Sequence, residues 1–326
     1  MRKFYLLLLA ALCIGTRANS QVTVTGSTGA NGTYATLTAA GGAFAALNAA
    51  GSQAGNNIVM TVTASISTED GTNALNGNGW TTLTVSPSGS NWSVYGTVNG
   101  PLITLNGASN VSFAGASGFA LGIQNSSTGA LASTVKFIND ASNNTFTNTY
   151  FYGGSTGLGT IYFSTGTTTG NDNNLFSQCY LGSIVAGTSP LNGVYSLGSS
   201  AVIDNSGNTI TNCSIADYFN AASASAGINI NSNNSGWTIS NNSLFQTATR
   251  TFTTGNTHNG ILITSGSGYT ISNNMIGYAN SVPSGTMNLV GLTSGSLGGT
   301  FPSSYTTGGA TANATRFIGI NCAFTT

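Results

Sequence analysis

Acid–base catalysis, metal binding and phosphate recognition all need titratable side chains in number. This chain of 326 residues has 6 Lys+Arg, 6 Asp+Glu and 1 His. Among the acids, Asp140, Asp172 and Asp204 form a set: they stand six, four and six residues before Phe146, Phe176 and Ile210, in NDASNNTF, NDNNLF and IDNSGNTI. Such spacing places them along one edge of consecutive repeats. There they would make a Ca²⁺ site or carboxylate cluster, or each would cap a turn through its own backbone; turn capping is the preferred reading. His258, in GNTHNG, has no second His or Cys at ligand spacing and is expected at the surface. Tyr150 and Tyr180, with Tyr152 beside them, occupy one repeat position. They offer an aromatic surface for a sugar face or another protein, or support for a neighbouring loop. No catalytic residue, metal site or cofactor is assigned, Ca²⁺ at the three aspartates being the one ion considered.

Charge narrows the partners. Charged residues make up 4% of the chain, against roughly a quarter in ordinary globular proteins. Beyond the first 20 residues the bases are Lys136, Arg250 and Arg316, too few and too scattered to grip nucleic acid or an anionic membrane surface. The start, MRKFYLLLLAALCIGTRANSQ, has a basic stretch, an apolar run from Phe4 to Ile14 and small residues ahead of Gln21. This is the pattern of a secretory signal peptide over residues 1–20, so the chain is expected outside the cell or on its surface. No later run reaches the roughly 20 apolar residues of a membrane span. Cys179, Cys213 and Cys322 then remain, an odd number. Cys179 and Cys213 are expected as packed thiols, with a disulfide between them as the alternative.

The elements that position these residues repeat. NTFTNTYFYGG, NLFSQCYLGS, NTITNCSIADY, WTISNNSLFQT and YTISNNMIGYA align on Asn148, Gln178, Asn212, Asn241 and Asn273, at intervals of 30, 34, 29 and 32. GINCAFTT matches their second half, with Asn321 in the aligned place after 48 residues, which implies a loop insertion near 295–313. Between these segments lie further short apolar runs, GTIYFST, GVYSLGS, GININ and GILITS, bounded by Gly, Asn and Ser. One helix is expected near 39–49, with Thr38 as N-cap and Gly51 as stop. A unit of about 32 residues holding two or three strands fits one coil of a parallel β-helix.

TISNNSL, TISNNMI and TITNCSI resemble the strand–turn–strand repeat of the right-handed parallel β-helix, the pectate-lyase-like superfold, over roughly residues 36–326. The resemblance implies an all-β solenoid, with residues 21–55 as an N-terminal strand and capping helix and 56–326 as the β-helix. Stacking of coils then predicts an inward column of Phe146, Phe176, Ile210, Ile239 and Ile271, and another of Phe151, Leu181, Ile215, Leu244 and Ile276. Asn148, Gln178, Asn212, Asn241, Asn273 and Asn321 would form an amide ladder, beside a column of Thr149, Cys179, Cys213, Asn242, Asn274 and Cys322.

The resemblance also brings in polysaccharide lyases and glycosidases, which need clustered carboxylates or a basic proton acceptor. Lys136, in VKFIND, is the nearest candidate base. The leading expectation is a secreted, non-enzymatic structural or adhesive module that binds extracellular polysaccharide or surface glycan through Tyr150, Tyr152 and Tyr180. Its C-terminal coil, ending at INCAFTT without a cap, would self-associate. The rivals are a lyase or hydrolase on the same fold, and an ice-binding solenoid. The last requires Thr-x-Thr to recur at one position in every coil, whereas TVTAS and TLTVS do not repeat in register.

Overall fold

The computed structural model describes residues 20–89, 91–183, 188–282, 284, 287–290, 303–306 and 316–322; apart from Ser20, the expected leader lies outside them. The chain is a parallel β-solenoid of about seven turns with one short helix. Each coil contributes one strand to each of three sheets, of ten, eight and eight strands. The first sheet opens antiparallel, with Val22–Thr25 between Gly32–Tyr34 and Asn57–Val62. It then runs parallel from Asn57–Val62 to Thr270–Ser272.

Both expected apolar columns point inward. Phe146, Phe176, Ile210 and Ile239 are buried, as are Phe151, Leu181, Ile215, Leu244 and Ile276. In-register stacking puts identical side chains face to face: the Phe146 and Phe176 rings lie 4.5 Å apart and the Phe137 and Phe163 rings 4.4 Å apart, nearly parallel. Such stacks add attraction beyond area burial.

The helix spans Ala43–Ala49 and is capped at Gly42 without a side-chain bond, so Thr38 is not its N-cap. Thr38 instead donates from its amide and hydroxyl to buried Glu69, which also accepts the Leu37 amide. Phe44 and Leu47 are buried, and Asn48 bonds Ala74 and Asn76, which lays the helix across the first coil.

The amide ladder lies elsewhere than the aligned column. Asn148, Gln178, Asn212, Asn241 and Asn273 all have φ between 49° and 57°. They make the left-handed turn from the first sheet to the second, and this turn throws their side chains outward; Gln178, Asn212, Asn241 and Asn273 are exposed. The buried ladder is Asn144, Asn174 and Asn208. The Asn174 Oδ1 accepts from the amide and Nδ2 of Asn144, and the Asn208 Oδ1 accepts likewise from Asn174. A second ladder runs from the other predicted column: Cys213 donates its amide to Asn242 Oδ1, and Asn242 to Asn274 Oδ1. Cys179 and Cys213 sit in it as buried free thiols.

The last repeat is also reassigned. Arg316–Cys322 pairs in register with Thr257–Ile263 in the third sheet. Asn321 therefore stands beside Leu262 and exposed Cys322 beside Ile263, not in the ladder or thiol columns. The described part of the expected insertion, Ser303–Thr306, is a strand of a side sheet with Met287–Val290 and Arg250–Thr251; the rest of 295–313 lies outside the described residues.

Candidate functional site

The second sheet carries the tyrosines outward. Tyr150 pairs with Tyr180 and Tyr152 with Gly182, so outward positions of one strand meet those of the next. Tyr150 and Tyr152 stack at 5.6 Å, and Tyr180 closes on them at 5.5 and 5.8 Å with its ring tilted. Gly182 lies under the Tyr180 ring, where a Cβ would come within 2.7 Å of it. A fourth ring, absent from the sequence-level expectation, joins from a loop of the preceding coil: Phe119, at φ 60°, stacks on Tyr150 at 4.5 Å. Loop length varies between coils, so repeat alignment does not reveal it. The tyrosine hydroxyls have no hydrogen-bond partner among the described residues. Burial raises the phenol of Tyr180, with Asp217 adding to it, and burial raises that of Tyr152. Both stay neutral and able to donate as well as accept.

The three aspartates do line one edge of successive coils, but each bonds the next coil rather than capping its own turn, Asp140 at a loop and Asp172 and Asp204 at the short paired strands Asn205–Ser206 and Asn234–Ser235. Asp140 accepts the Thr167 hydroxyl and the amides of Thr167, Thr168 and Gly170. Asp172 accepts the amide and hydroxyl of Ser206, and Asp204 the hydroxyl of Ser235. Burial would raise the Asp140 carboxyl, yet the Thr167 hydroxyl and the loop amides hold it well below the usual carboxylate range. Asp172 is raised by burial, and no group of three His, Cys, Asp or Glu side chains among the described residues is arranged to hold a metal. Lys136 points from the third sheet over the Tyr162 ring, 5.4 Å from its centre.

No protein-family model, curated protein or solved structure matches this chain significantly.

His258 is not a surface residue. It lies fully buried in Thr257–Ile263, stacked on Tyr218 at 4.9 Å, with Nδ1 2.8 Å from the Ser225 hydroxyl. Burial, and then the nearby Arg250, push its pKa down to about 3, so it is a neutral core imidazole. Above this layer the loops joining the second and third sheets enclose a groove of about 550 Å³ that includes Phe219 and Arg250. Arg250 pairs with Asp217 at 2.6 Å. The two are 33 residues apart, one coil, and opposite charges at coil spacing were the signal available in the sequence.

The first sheet presents a different surface. Its outward positions read Thr84, Ser112, Thr145, Leu175, Thr209, Thr238 and Thr270 in one in-register column. Beside it run Ala114, Thr147, Ser177, Thr211, Ser240 and Ser272. Hydroxyl residues thus occupy these two positions in most coils, with Leu175 and Ala114 interrupting them, so Thr-x-Thr does not recur in every coil; TVTAS and TLTVS are out of register as expected, Thr61 pairing with Ser86 and Val59 with Thr84.

Proposed function

We propose that this protein is a non-enzymatic, exported β-helix that binds a polysaccharide through the aromatic face of its second sheet. The observation that carries the reading is the contiguous set of Phe119, Tyr150, Tyr152 and Tyr180, half-buried rings with three phenolic hydroxyls unpartnered among the described residues. A sugar offers apolar C–H faces rimmed by hydroxyls, the chemistry that such rings meet. A non-catalytic role is supported by the use of the acids: Asp140, Asp172 and Asp204 are bonded to the following coil, Glu69 to the helix entry and Asp217 to Arg250. The apolar leader supports export to the cell surface or beyond. The test is retention of the secreted chain on a polysaccharide array, with and without Ca²⁺, while released sugar is assayed in the same wells. Retention without release, lost in Tyr150→Ala/Tyr180→Ala, is expected; unsaturated or reducing-end products would establish a lyase or hydrolase instead.

A second reading, ice binding, is favoured by the paired hydroxyl columns of the first sheet, an uncharged array repeating at about 4.8 Å along the axis. Incorporation of the chain into a growing ice crystal, abolished by Thr209→Tyr, would support it; exclusion from the ice would remove it.

A further inference from the structure

We propose that the groove between the second and third sheets is a further subsite that takes a neutral polysaccharide chain continuing from the tyrosine face. The inference rests on the carbohydrate reading above and extends it to the length and charge class of the ligand. The two surfaces are continuous. Gly154, on the groove wall, lies two residues beyond Tyr152, and Asp217, close enough to Tyr180 to raise its phenol, holds the Arg250 of the groove.

The lining specifies the chemistry. Thr156, Ser189 and Asn220 supply hydroxyl and amide groups, while the Phe219 ring, 5.8 Å from the Arg250 guanidinium carbon, supplies apolar surface. Among the described residues Arg250 is the one charged group of the lining, and Asp217 neutralises it. A guanidinium carries five N–H donors. Here Nε donates to Gln246 and one Nη2 hydrogen to Asp217, which leaves the other donors without a partner among the described residues. These donors suit hydroxyl and ring oxygens. A uronate or phosphate would find its counter-charge already satisfied and would stand close to the Asp217 carboxylate.

The experiment measures binding of oligomers of two to eight sugars, prepared from neutral xylan, glucomannan and dextran and from acidic polygalacturonate. Wild type is expected to bind longer oligomers of a neutral series about tenfold more tightly than short ones. Ala222→Trp, on the exposed rim, is expected to erase that gain and leave short oligomers unaffected. Arg250→Gln should do the same, with Ala222→Trp as the variant that leaves the ion pair intact. Tyr150→Ala/Tyr180→Ala should weaken short and long oligomers alike. Unchanged length dependence in Ala222→Trp would overturn the subsite while leaving the tyrosine face standing. Preference for polygalacturonate would overturn the neutral class. Failure of wild type to bind any series would overturn the carbohydrate reading itself.

Discussion

Two asparagines at opposite ends of neighbouring first-sheet strands do opposite work in this solenoid. Asn174 is buried; toward the preceding coil it accepts from Asn144 and donates to the Ala141 carbonyl, and toward the following coil it donates to Asn208. Asn174→Ala would strand several buried polar groups, and a loss of about 3 kcal/mol is expected from urea unfolding. Asn212 is exposed at φ 54°. There Asn212→Gly keeps the left-handed turn and should stay within about 0.5 kcal/mol of wild type in the same assay. The sequence contains both columns, and the repeat alignment favours the wrong one. The conspicuous residues at equivalent places are the turn formers, conserved in chemistry because φ > 0 suits short amides. The buried amides at Asn144, Asn174 and Asn208 give way to Trp237 and Tyr269 in later repeats, which hides their periodicity. His258 was misplaced for a related reason: its polar neighbours resemble a loop, but the loops of adjacent coils cover it. Because its folded-state pKa is about 3 against 6.5 for a free imidazole, the unfolded chain takes up the proton first. Stability is therefore expected to be full above about pH 6.5 and to fall as pH drops toward 3. His258→Gln should flatten that part of the pH–stability curve even if it lowers the plateau.

At the scale of elements, coils close where the second and third sheets meet, and glycine permits it. Gly193, Gly227 and Gly260 recur at one coil position, each facing the backbone of the next and an apolar side chain of the second sheet. A Cβ on Gly227 would lie 2.8 Å from the Gly260 carbonyl oxygen and 2.6 Å from the Leu244 side chain. Gly227→Ala is accordingly expected to cost about 2–3 kcal/mol by overpacking, read as a lowered urea midpoint, whereas Gly51→Ala meets nothing within 4 Å and faces only the strain of its φ of 77°. Strand content, repeat length and both apolar columns were legible because period-2 burial and stacking leave a direct imprint on composition. The final strand was not. GINC resembles the second half of a core segment, but its Ile320, and Ile318 just before it, align with Ile261 and Asn259 of the third sheet, and the intervening side sheet breaks the spacing from which register was inferred.

For the molecule as a whole, three faces carry three chemistries: hydroxyl columns on the first sheet, aromatic rings on the second, and Lys136 over Tyr162 beside Tyr195 on the third. The near absence of charge disfavours polyanionic partners on every one of them. Among the described residues no helix is long and apolar enough to cross a membrane. A solenoid of stacked coils is stiff and quasi-one-dimensional, which suits contact with an extended polymer. The tyrosine residues were visible in the sequence as a set and the Asp217–Arg250 pair carried a signal in its coil spacing, whereas Phe119 and the walls of the groove became visible only when loops of unequal length were placed in space. The decisive measurement is calorimetric titration of the secreted chain with the neutral polysaccharide it retains best, beside Tyr150→Ala/Tyr180→Ala and the first-sheet variant Thr209→Tyr. Saturable binding that is lost in the tyrosine variant and kept in Thr209→Tyr is the expected result. Equal affinity in wild type and the tyrosine variant would contradict a carbohydrate site on the second sheet.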